Sequence, residues 1–199
     1  MKKIIKSFLL IIFCTFFISG CTQKKSDTNI NLNQNIIPTG TNMNTTTPKP
    51  TAASKSTNIV AIKTKDGEIV LQLYQDIAPN TVANFIKKAD SGFYKNLTFH
   101  RVIAGFMAQG GDPSGNGTGG GNQKSEINNL PFKRGTIGLA RAGNKEISND
   151  SQFFICFTTE GCQHLTGDYV NFGEVISGLN ILDKIKQGDK IIDITTSTK

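Results

Sequence analysis

The stretch FHRVIAGFMAQGGD, residues 99–112, is the segment from which the fold can be worked out. It places one cation, Arg101, close in sequence to an apolar pair, Phe106 and Met107, and to the amide of Gln109. Binding sites for uncharged apolar groups combine an apolar pocket with a few fixed hydrogen-bond donors. On spacing alone, however, Arg101 equally suits a surface salt bridge, and Phe106 and Met107 suit a plain hydrophobic core.

Short strands surround this stretch. Residues 58–63 and 68–74 alternate between apolar and polar side chains on either side of Asp66-Gly67, a pattern that predicts a β-hairpin. Glycine-rich loops separate further short strands, which are predicted at residues 98–103, 106–110, 136–141, 152–157, 172–176 and 190–195.

Two helices are predicted among the strands. Pro79 suits the first turn of the first helix, and Gly92 suits the left-handed residue that follows its end. Its inward set, at helical spacing, is Val82, Phe85, Ile86 and Ala89. The second helix is predicted at residues 177–186, with Leu179, Leu182 and Ile185 facing inward. Many short strands and only two helices favour an all-β barrel or sandwich.

Five segments of residues 58–199 carry a family resemblance. They are, in order, GEIVLQLYQDIAPNTVANF (67–85), FHRVIAGFMAQGGD (99–112), GTIGLARA (135–142), SQFFI (151–155) and HLTGDYVNFGEV (164–175). Together they resemble the cyclophilins, the peptidyl-prolyl cis-trans isomerases that cyclosporin inhibits, in their compact bacterial form. The resemblance implies a closed eight-stranded antiparallel barrel capped by two α-helices. It also implies catalysed rotation about X-Pro peptide bonds, with no cofactor and no metal. The rival interpretation is a cyclophilin-like chaperone or surface binding module without turnover.

The resemblance also implies roles for individual residues. Arg101 takes the position of the catalytic cation. The residues expected to bind substrate are His100, Phe106, Met107, Gln109, Ala140, Ala142, Gln152, Phe154, Leu165 and Tyr169. Among them, the proline pocket would consist of Phe106, Met107, Phe154 and Leu165. The two glutamines would hydrogen-bond the substrate backbone, and the two alanines would line the groove for residues that precede proline. His100 and Tyr169 are equally compatible with structural roles.

Three features depart from the family pattern. Ala104 replaces a usual proline, the loop at residues 143–150 differs, and His164 stands where the family has tryptophan or phenylalanine. We interpret His164 as a rim residue. A smaller and more polar rim predicts weak binding of cyclosporin-type ligands. The expected partners remain proline-containing polypeptides, unfolded or exported.

The first twenty residues are typical of an export signal. Three lysines in the first six residues precede an apolar run at residues 8–18, which is shorter than the roughly 20 residues of a membrane-spanning helix. The following Ser19-Gly20-Cys21 resembles a bacterial lipobox. This predicts a signal peptide at residues 1–20 and a lipidated Cys21. The alternative is an ordinary signal peptide with Cys21 as a bystander.

The segment after the signal has the composition of a linker. Residues 21–57 are rich in Thr, Asn, Ser, Lys and Pro, and cannot bury enough apolar surface to offset the entropy of ordering. We predict a disordered tether that joins the lipid anchor to one monomeric domain, residues 58–199. The expected location is the cell envelope, with the domain outside the cytoplasm of a bacterium, where it assists the folding of exported proteins.

Charge and cysteines narrow the function further. The formal net charge of +7 is scattered, without a basic block or interleaved aromatic residues, so nucleic-acid binding is not expected.

Cys156 lies in an apolar run and suits a small core residue. In an exported protein the spacing permits a disulfide with Cys162, although strand geometry often forbids one. No four-ligand metal spacing is present in the sequence.

A glycine-rich motif at residues 115–120, GNGTGG, fits the dinucleotide-binding pattern G-x-G-x-x-G. Such a site needs a preceding strand and a helix that opens on the last glycine. The residues that follow, Gln123-Lys124-Ser125, predict no convincing helix. We therefore reject a dinucleotide site.

Overall fold

The fold is mostly β, as predicted. The computed structural model describes residues 58–198, so the predicted signal peptide and tether lie outside the described residues. The strands are β1 Asn58–Thr64, β2 Gly67–Leu73, β3 Arg101–Ile103, β4 Met107–Gly110, β5 Asn122–Lys124, β6 Thr136–Leu139, β7 Ile147–Asn149, β8 Phe153–Cys156, β9 Asn171–Ser177 and β10 Asp193–Thr198. The helices are α1 Pro79–Asp90, α2 Thr159–Cys162 and α3 Leu179–Leu182, and a 3-10 turn, Gln163–Leu165, follows α2.

Eight strands form one curled antiparallel sheet, in the order β10-β1-β2-β9-β6-β8-β4-β3. The predicted closure of the barrel is wrong in detail, because the edge strands β10 and β3 do not pair with each other in the described part of the chain. Instead, backbone outside the strands connects the two edges of the sheet through hydrogen bonds. The amide of Asn96 donates to the carbonyl of Ile191 at 2.8 Å, and that of Phe99 donates to the carbonyl of Asp189 at 2.9 Å. These contacts precede both edge strands in sequence, so the two edges meet through loops and not through a ladder.

A separate two-stranded sheet pairs β5 with β7. Neither strand follows from the sequence pattern, because each is three residues long and has no alternating apolar face. β7 lies within residues 143–150, the loop that departs from the family pattern. The departing loop therefore contains a short strand that pairs with the residues directly after the glycine-rich segment.

The predicted β-hairpin is confirmed as β1–β2. Thr64 pairs with Gly67 across a two-residue turn, and Gly67 has a φ of +135°, a value that side-chain-bearing residues rarely adopt. Inward side chains on both strands are fully buried, namely Val60, Ile62, Ile69 and Leu71.

Helix α1 also matches its prediction. Its inward side chains Val82, Phe85 and Ala89 are buried, and Ile86 is half-buried against them. Gly92 follows the helix with a φ of +72°, the left-handed conformation expected there.

The second predicted helix is much shorter than expected. Strand β9 runs through Ser177, and Gly178 has a φ of +88°, so the helix cannot begin at residue 177. Beyond Leu182 the backbone tightens into three-residue turns. Leu182 and Ile185 nevertheless point inward as predicted. No helix within residues 58–198 is long and apolar enough to cross a membrane.

Buried apolar side chains form two separate clusters. The larger one, which we call the barrel core, fills the curled sheet, and its aromatic members are Phe85, Tyr94, Phe99, Phe153, Phe157 and Phe172. The smaller one, the cleft cluster, consists of Met107, Phe132, Phe154, Cys156, Cys162 and Leu165. The two clusters lie on opposite faces of strands β4 and β8.

Candidate functional site

Strand alternation sends neighbouring residues of β8 to different environments. Phe153 and Ile155 belong to the barrel core, whereas Phe154 and Cys156 belong to the cleft cluster. A strand presents successive side chains to opposite faces, so a continuously apolar strand can serve two clusters. The outer face of β8 thereby becomes the floor of a cleft.

Arg101 stands at the edge of this cleft, on β3. It pairs in register with Gln109 of β4, so both side chains lie on one face of the sheet. The Arg101 Nη1 donates to Gln109 Oε1 at 3.2 Å. The Arg101 side chain is exposed, and no carboxylate of the described residues lies within 4.0 Å of it. The guanidinium charge is thus positioned but not neutralised.

Two amides connect Arg101 to the glycine-rich loop. Gln109 Nε2 donates to Gln152 Oε1 at 2.9 Å. Gln152 Nε2 in turn donates to the carbonyls of Gly117 and Gly119, at 3.2 and 2.8 Å. Gln152 is only 3% exposed, so it fixes which way the Gln109 amide points. The substrate contacts predicted for both glutamines stay a prediction.

The glycine-rich loop is a structural support. The Asp112 carboxylate accepts hydrogen bonds from the backbone amides of Ser114, Asn116 and Gly117. Burial tends to raise the pKa of Asp112, but these three hydrogen bonds outweigh it and hold that pKa below its ordinary value. A Cβ on Gly119 would lie 2.2 Å from the Asp112 carboxylate. The loop leads into β5 and not into a helix, in agreement with the rejection of a dinucleotide site.

The cleft beside Arg101 has a volume of about 290 Å³. It is lined by Arg101, Phe106, Met107, Gln109, Ala140, Arg141, Phe154, His164, Leu165 and Tyr169. The structure therefore brings together eight of the eleven residues predicted to be catalytic or substrate-binding. His164 lies with them, its ring centroid 5.6 Å from that of Phe106.

The ring of Phe154, which forms the floor of the cleft, packs against two other aromatic rings. Phe154 stacks on Phe132, with ring centroids 5.7 Å apart, and meets the ring of Tyr169 edge-on at 5.8 Å. Phe132 is fully buried and carries no periodic signal, since it lies alone in a loop. Sequence reasoning therefore missed it.

Three predicted residues lie outside the cleft. Ala142 and Gln152 line an adjoining pocket of about 600 Å³, which shares Gln109, Ala140 and Arg141 with the cleft. His100 lines neither cavity.

The His100 ring lies beside the glycine-rich loop, where a Cβ built on Gly117 would be 3.9 Å from its Nε2. Both of its ring nitrogens are buried, with no hydrogen-bond partner among the described residues. Burial lowers the pKa of His100 below its ordinary value of 6.5. The Asp112 carboxylate opposes this shift, whereas the Arg101 guanidinium adds to it.

A disulfide joins Cys156 of β8 to Cys162 of α2, with Cα atoms 6.1 Å apart. The interpretation of Cys156 as a plain core residue is therefore incomplete. The geometry suffices because the chain reverses between β8 and α2, which the spacing of the two cysteines alone does not reveal. The bond fixes the start of the 3-10 turn that carries His164 and Leu165 to the cleft.

Arg141 is the second residue that sequence reasoning missed. It belongs to the quoted segment 135–142, but nothing in the spacing distinguishes it from a surface arginine. Its guanidinium carbon lies 4.5 Å from the centroid of the Tyr169 ring.

Within residues 58–198, no group of three or more His, Cys, Asp or Glu side chains is placed to hold a metal ion.

Sequence comparison places the same residues in one family. The sequence model described as "Cyclophilin type peptidyl-prolyl cis-trans isomerase/CLD" matches residues 59–197. A curated peptidyl-prolyl cis-trans isomerase of Helicobacter pylori is 47% identical over 148 residues, which cover 71% of this chain and 88% of the relative. One from Synechococcus elongatus is 44% identical over 141 residues, which cover 69% of this chain and 94% of the relative.

Structural comparison gives the same result. A Cryptosporidium parvum cyclophilin type peptidyl-prolyl cis-trans isomerase, crystallised in the presence of the dipeptide Ala-Pro, matches with a TM-score of 0.65 and 34% sequence identity. The match covers 71% of this chain and 99% of that one. The similarity thus extends from the sequence to the whole fold of the relative.

Proposed function

The chain belongs to the cyclophilin-type peptidyl-prolyl cis-trans isomerases, and from this premise we propose that Arg101 is its catalytic cation and that exported polypeptides are its substrates. The activity itself is the rotation of X-Pro peptide bonds. The observation that carries the assignment of Arg101 is its unneutralised guanidinium, held by Gln109 at the edge of an apolar cleft.

The chemistry requires no nucleophile. A peptide bond resists rotation by roughly 18–20 kcal/mol because its C–N bond has partial double-bond character. Uncatalysed X-Pro rotation therefore takes on the order of 10–100 s at 25 °C. As the bond twists, the lone pair localises on the proline nitrogen. A guanidinium aimed at that nitrogen stabilises the twisted state more than the planar one, and this difference is what accelerates the reaction.

The cleft can hold the proline ring in place while the preceding peptide bond rotates. Its apolar floor, with Met107, Phe154 and Leu165 almost fully buried, suits the pyrrolidine ring of proline. Exclusion of water from this floor strengthens the electrostatic contact with Arg101. Arginine suits the role because it stays charged and its planar donors are rigid. The Ala-Pro present with the Cryptosporidium relative supports X-Pro segments as the bound group.

An export pathway and a lipid anchor form the second part of the proposal. Residues 1–20 have the composition of a signal peptide, and Cys21 suits diacylation by an envelope enzyme. Two or three acyl chains would anchor the protein stably, whereas one gives only marginal binding. The Cys156–Cys162 disulfide supports the same location, because disulfides persist in oxidising compartments outside the cytoplasm.

The catalytic part is tested with the full chain in detergent and an Ala-Pro peptide, in a protease-coupled assay. We expect turnover, together with acceleration of the proline-limited refolding of a denatured exported protein. Binding of the peptide without any turnover would favour the rival binding module.

The anchor is tested by labelling cells with an alkyne-bearing fatty acid. We expect label on the wild-type protein and on Cys14→Ala, a matched control within the signal, and no label on Cys21→Ala. Equal labelling of Cys21→Ala would exclude the lipidated cysteine while leaving the isomerase activity untouched.

Weak cyclosporin binding is proposed from His164, which lines the cleft with a smaller and more polar ring than that of tryptophan. His164→Trp should tighten cyclosporin binding roughly tenfold, measured as inhibition of the wild type and the variant in parallel. A submicromolar inhibition constant for the wild type would contradict the proposal.

A further inference from the structure

The cleft and the adjoining pocket form one groove, and Arg141 lies on their border. Both cavities are lined by Gln109, Ala140 and Arg141. If proline occupies the cleft, as the proposed function holds, residues preceding it run past Arg141 toward Ala142. A side chain in that segment that points toward this border therefore meets the Arg141 guanidinium.

The Arg141 guanidinium is held in place by neutral groups. Nε donates to the carbonyl of Asp168 at 3.0 Å, and Nη1 donates to the carbonyls of Ala142 and Gly143, at 2.9 and 3.2 Å. One face rests on the Tyr169 ring. Nη2 donates no hydrogen bond to any described residue. The contacts fix the position of the cation, and its charge stays available.

The Asp168 carboxylate, which attracts Arg141, is engaged by a lysine. The residues that line the two cavities include Arg101 and Arg141 but neither aspartate nor glutamate. The Asp168 side chain lies outside them and forms an ion pair with Lys145. That hydrogen-bonded pair is the largest cause of the lowered pKa of Asp168, and Arg141 adds only a smaller, longer-range attraction. The groove thus contains two cations without a carboxylate partner.

We propose that Arg141 is a specificity-determining residue, which selects substrates with an aspartate or glutamate within the two residues before proline. A substrate carboxylate would accept a charge-assisted hydrogen bond from the free Nη2, and the fixed guanidinium loses little entropy in forming it. A lysine at the same position would be repelled by Arg141 and by Arg101. The inference rests on the proposed function, because it takes the proline to lie in the cleft.

The test compares peptides that differ only before proline. Two series carry Glu, Gln or Lys at the first or the second residue before proline, and NMR exchange gives kcat/KM for each with the full chain. We expect glutamate to exceed glutamine by about three- to tenfold in at least one series, with lysine lowest, mainly through KM. Raising the salt to about 0.5 M should shrink the ratio, since partly exposed charges are screened.

Variants separate Arg141 from the general charge of the domain. In Arg141→Gln the glutamate-to-glutamine ratio should fall to about one, and Arg141→Lys should recover part of it. Because each ratio is taken within one protein, a general loss of activity cancels. Lys95→Gln, which removes an exposed cation that lines neither cavity, should keep the wild-type ratio. A wild type without the preference, or Arg141→Gln with it intact, would overturn the inference. Absence of turnover on every peptide would count instead against the proposed function.

Discussion

The barrel core and the cleft cluster are both buried and apolar, yet they are built differently. The barrel core draws on the inward face of both hairpin strands, on α1 and on the inner face of the sheet. The cleft cluster is smaller and combines the outer face of β4 and β8 with loop residues such as Phe132 and Leu165. Met107, Phe154 and Leu165 of the cleft cluster line the cleft beside Arg101, whereas no buried member of the barrel core does. Stability and chemistry thus come from opposite faces of the same strands.

The largest loss of stability is expected from truncation of Phe153, which lies on the face of β8 toward the barrel core. Phe153→Ala should lower the free energy of unfolding by about 3–5 kcal/mol, because it opens a cavity among Phe85, Tyr94 and Phe99. Activity per folded molecule should remain. Urea unfolding followed by an isomerase assay on the folded fraction measures both.

The neighbouring residue should behave in the opposite way. Phe154→Ala removes the floor of the proline cleft, so kcat/KM should fall about 100-fold, or ~2.7 kcal/mol. Its cost to stability should be smaller than that of Phe153→Ala, because the cleft lets solvent fill the space. If the two variants lost stability and activity in equal proportion, the division between the clusters would be wrong.

Removal of the disulfide tests how far the cleft cluster depends on this covalent bond. Replacing both cysteines, Cys156→Ala with Cys162→Ala, should lower the free energy of unfolding by about 2 kcal/mol, since the bond closes only a short loop. KM should rise a few-fold as the turn that carries Leu165 gains freedom. Wild-type protein treated with dithiothreitol is the control and should show the same two changes. Unchanged stability and KM in both would mean that packing alone holds the turn.

The smallest effect should come from pH. Burial lowers the pKa of His100 in the folded protein, so the unfolded chain takes up its proton more readily. The free energy of unfolding should therefore decrease as pH falls from about 7 through 6.5 and down to the folded pKa. The lowered pKa of Asp112 acts below its ordinary 3.8, outside this window. His100→Gln should flatten the pH dependence between 7.5 and 5.5, and an identical slope in the variant would contradict this assignment.

Periodicity predicts the barrel core well and the cleft cluster poorly. The hairpin and the inward face of α1 follow from alternation and helical spacing, and β8 follows from a short continuous apolar run, all of which depend on local sequence alone. Phe132, α2 and the β5–β7 sheet have no such signal, because their positions depend on how loops pack against finished strands. The predicted closure of the barrel is wrong in detail for a similar reason, since closure depends on pairing between edge strands that are far apart in sequence.

The candidate site was predictable only in part. Resemblance placed Arg101, Phe106, Met107 and Phe154 around one cleft, although spacing alone left each of them open to a plain structural role. It did not reveal that the Gln152 side chain donates hydrogen bonds to carbonyls of the glycine-rich loop. The free charge of Arg141 likewise became visible only in three dimensions, because it depends on which carboxylates are already paired.

The activity of Arg101→Ala tests most directly whether this guanidinium drives the rotation. kcat/KM should fall about 10²–10³-fold, the usual effect of removing one group that stabilises a transition state. The free energy of unfolding should stay within about 0.5 kcal/mol of the wild type, since the side chain is exposed. Arg101→Lys should recover only a small part of the activity, and Lys95→Ala, an exposed cation elsewhere, should behave as wild type. Turnover by Arg101→Ala within about threefold of the wild type would contradict the central claim that this guanidinium drives the rotation.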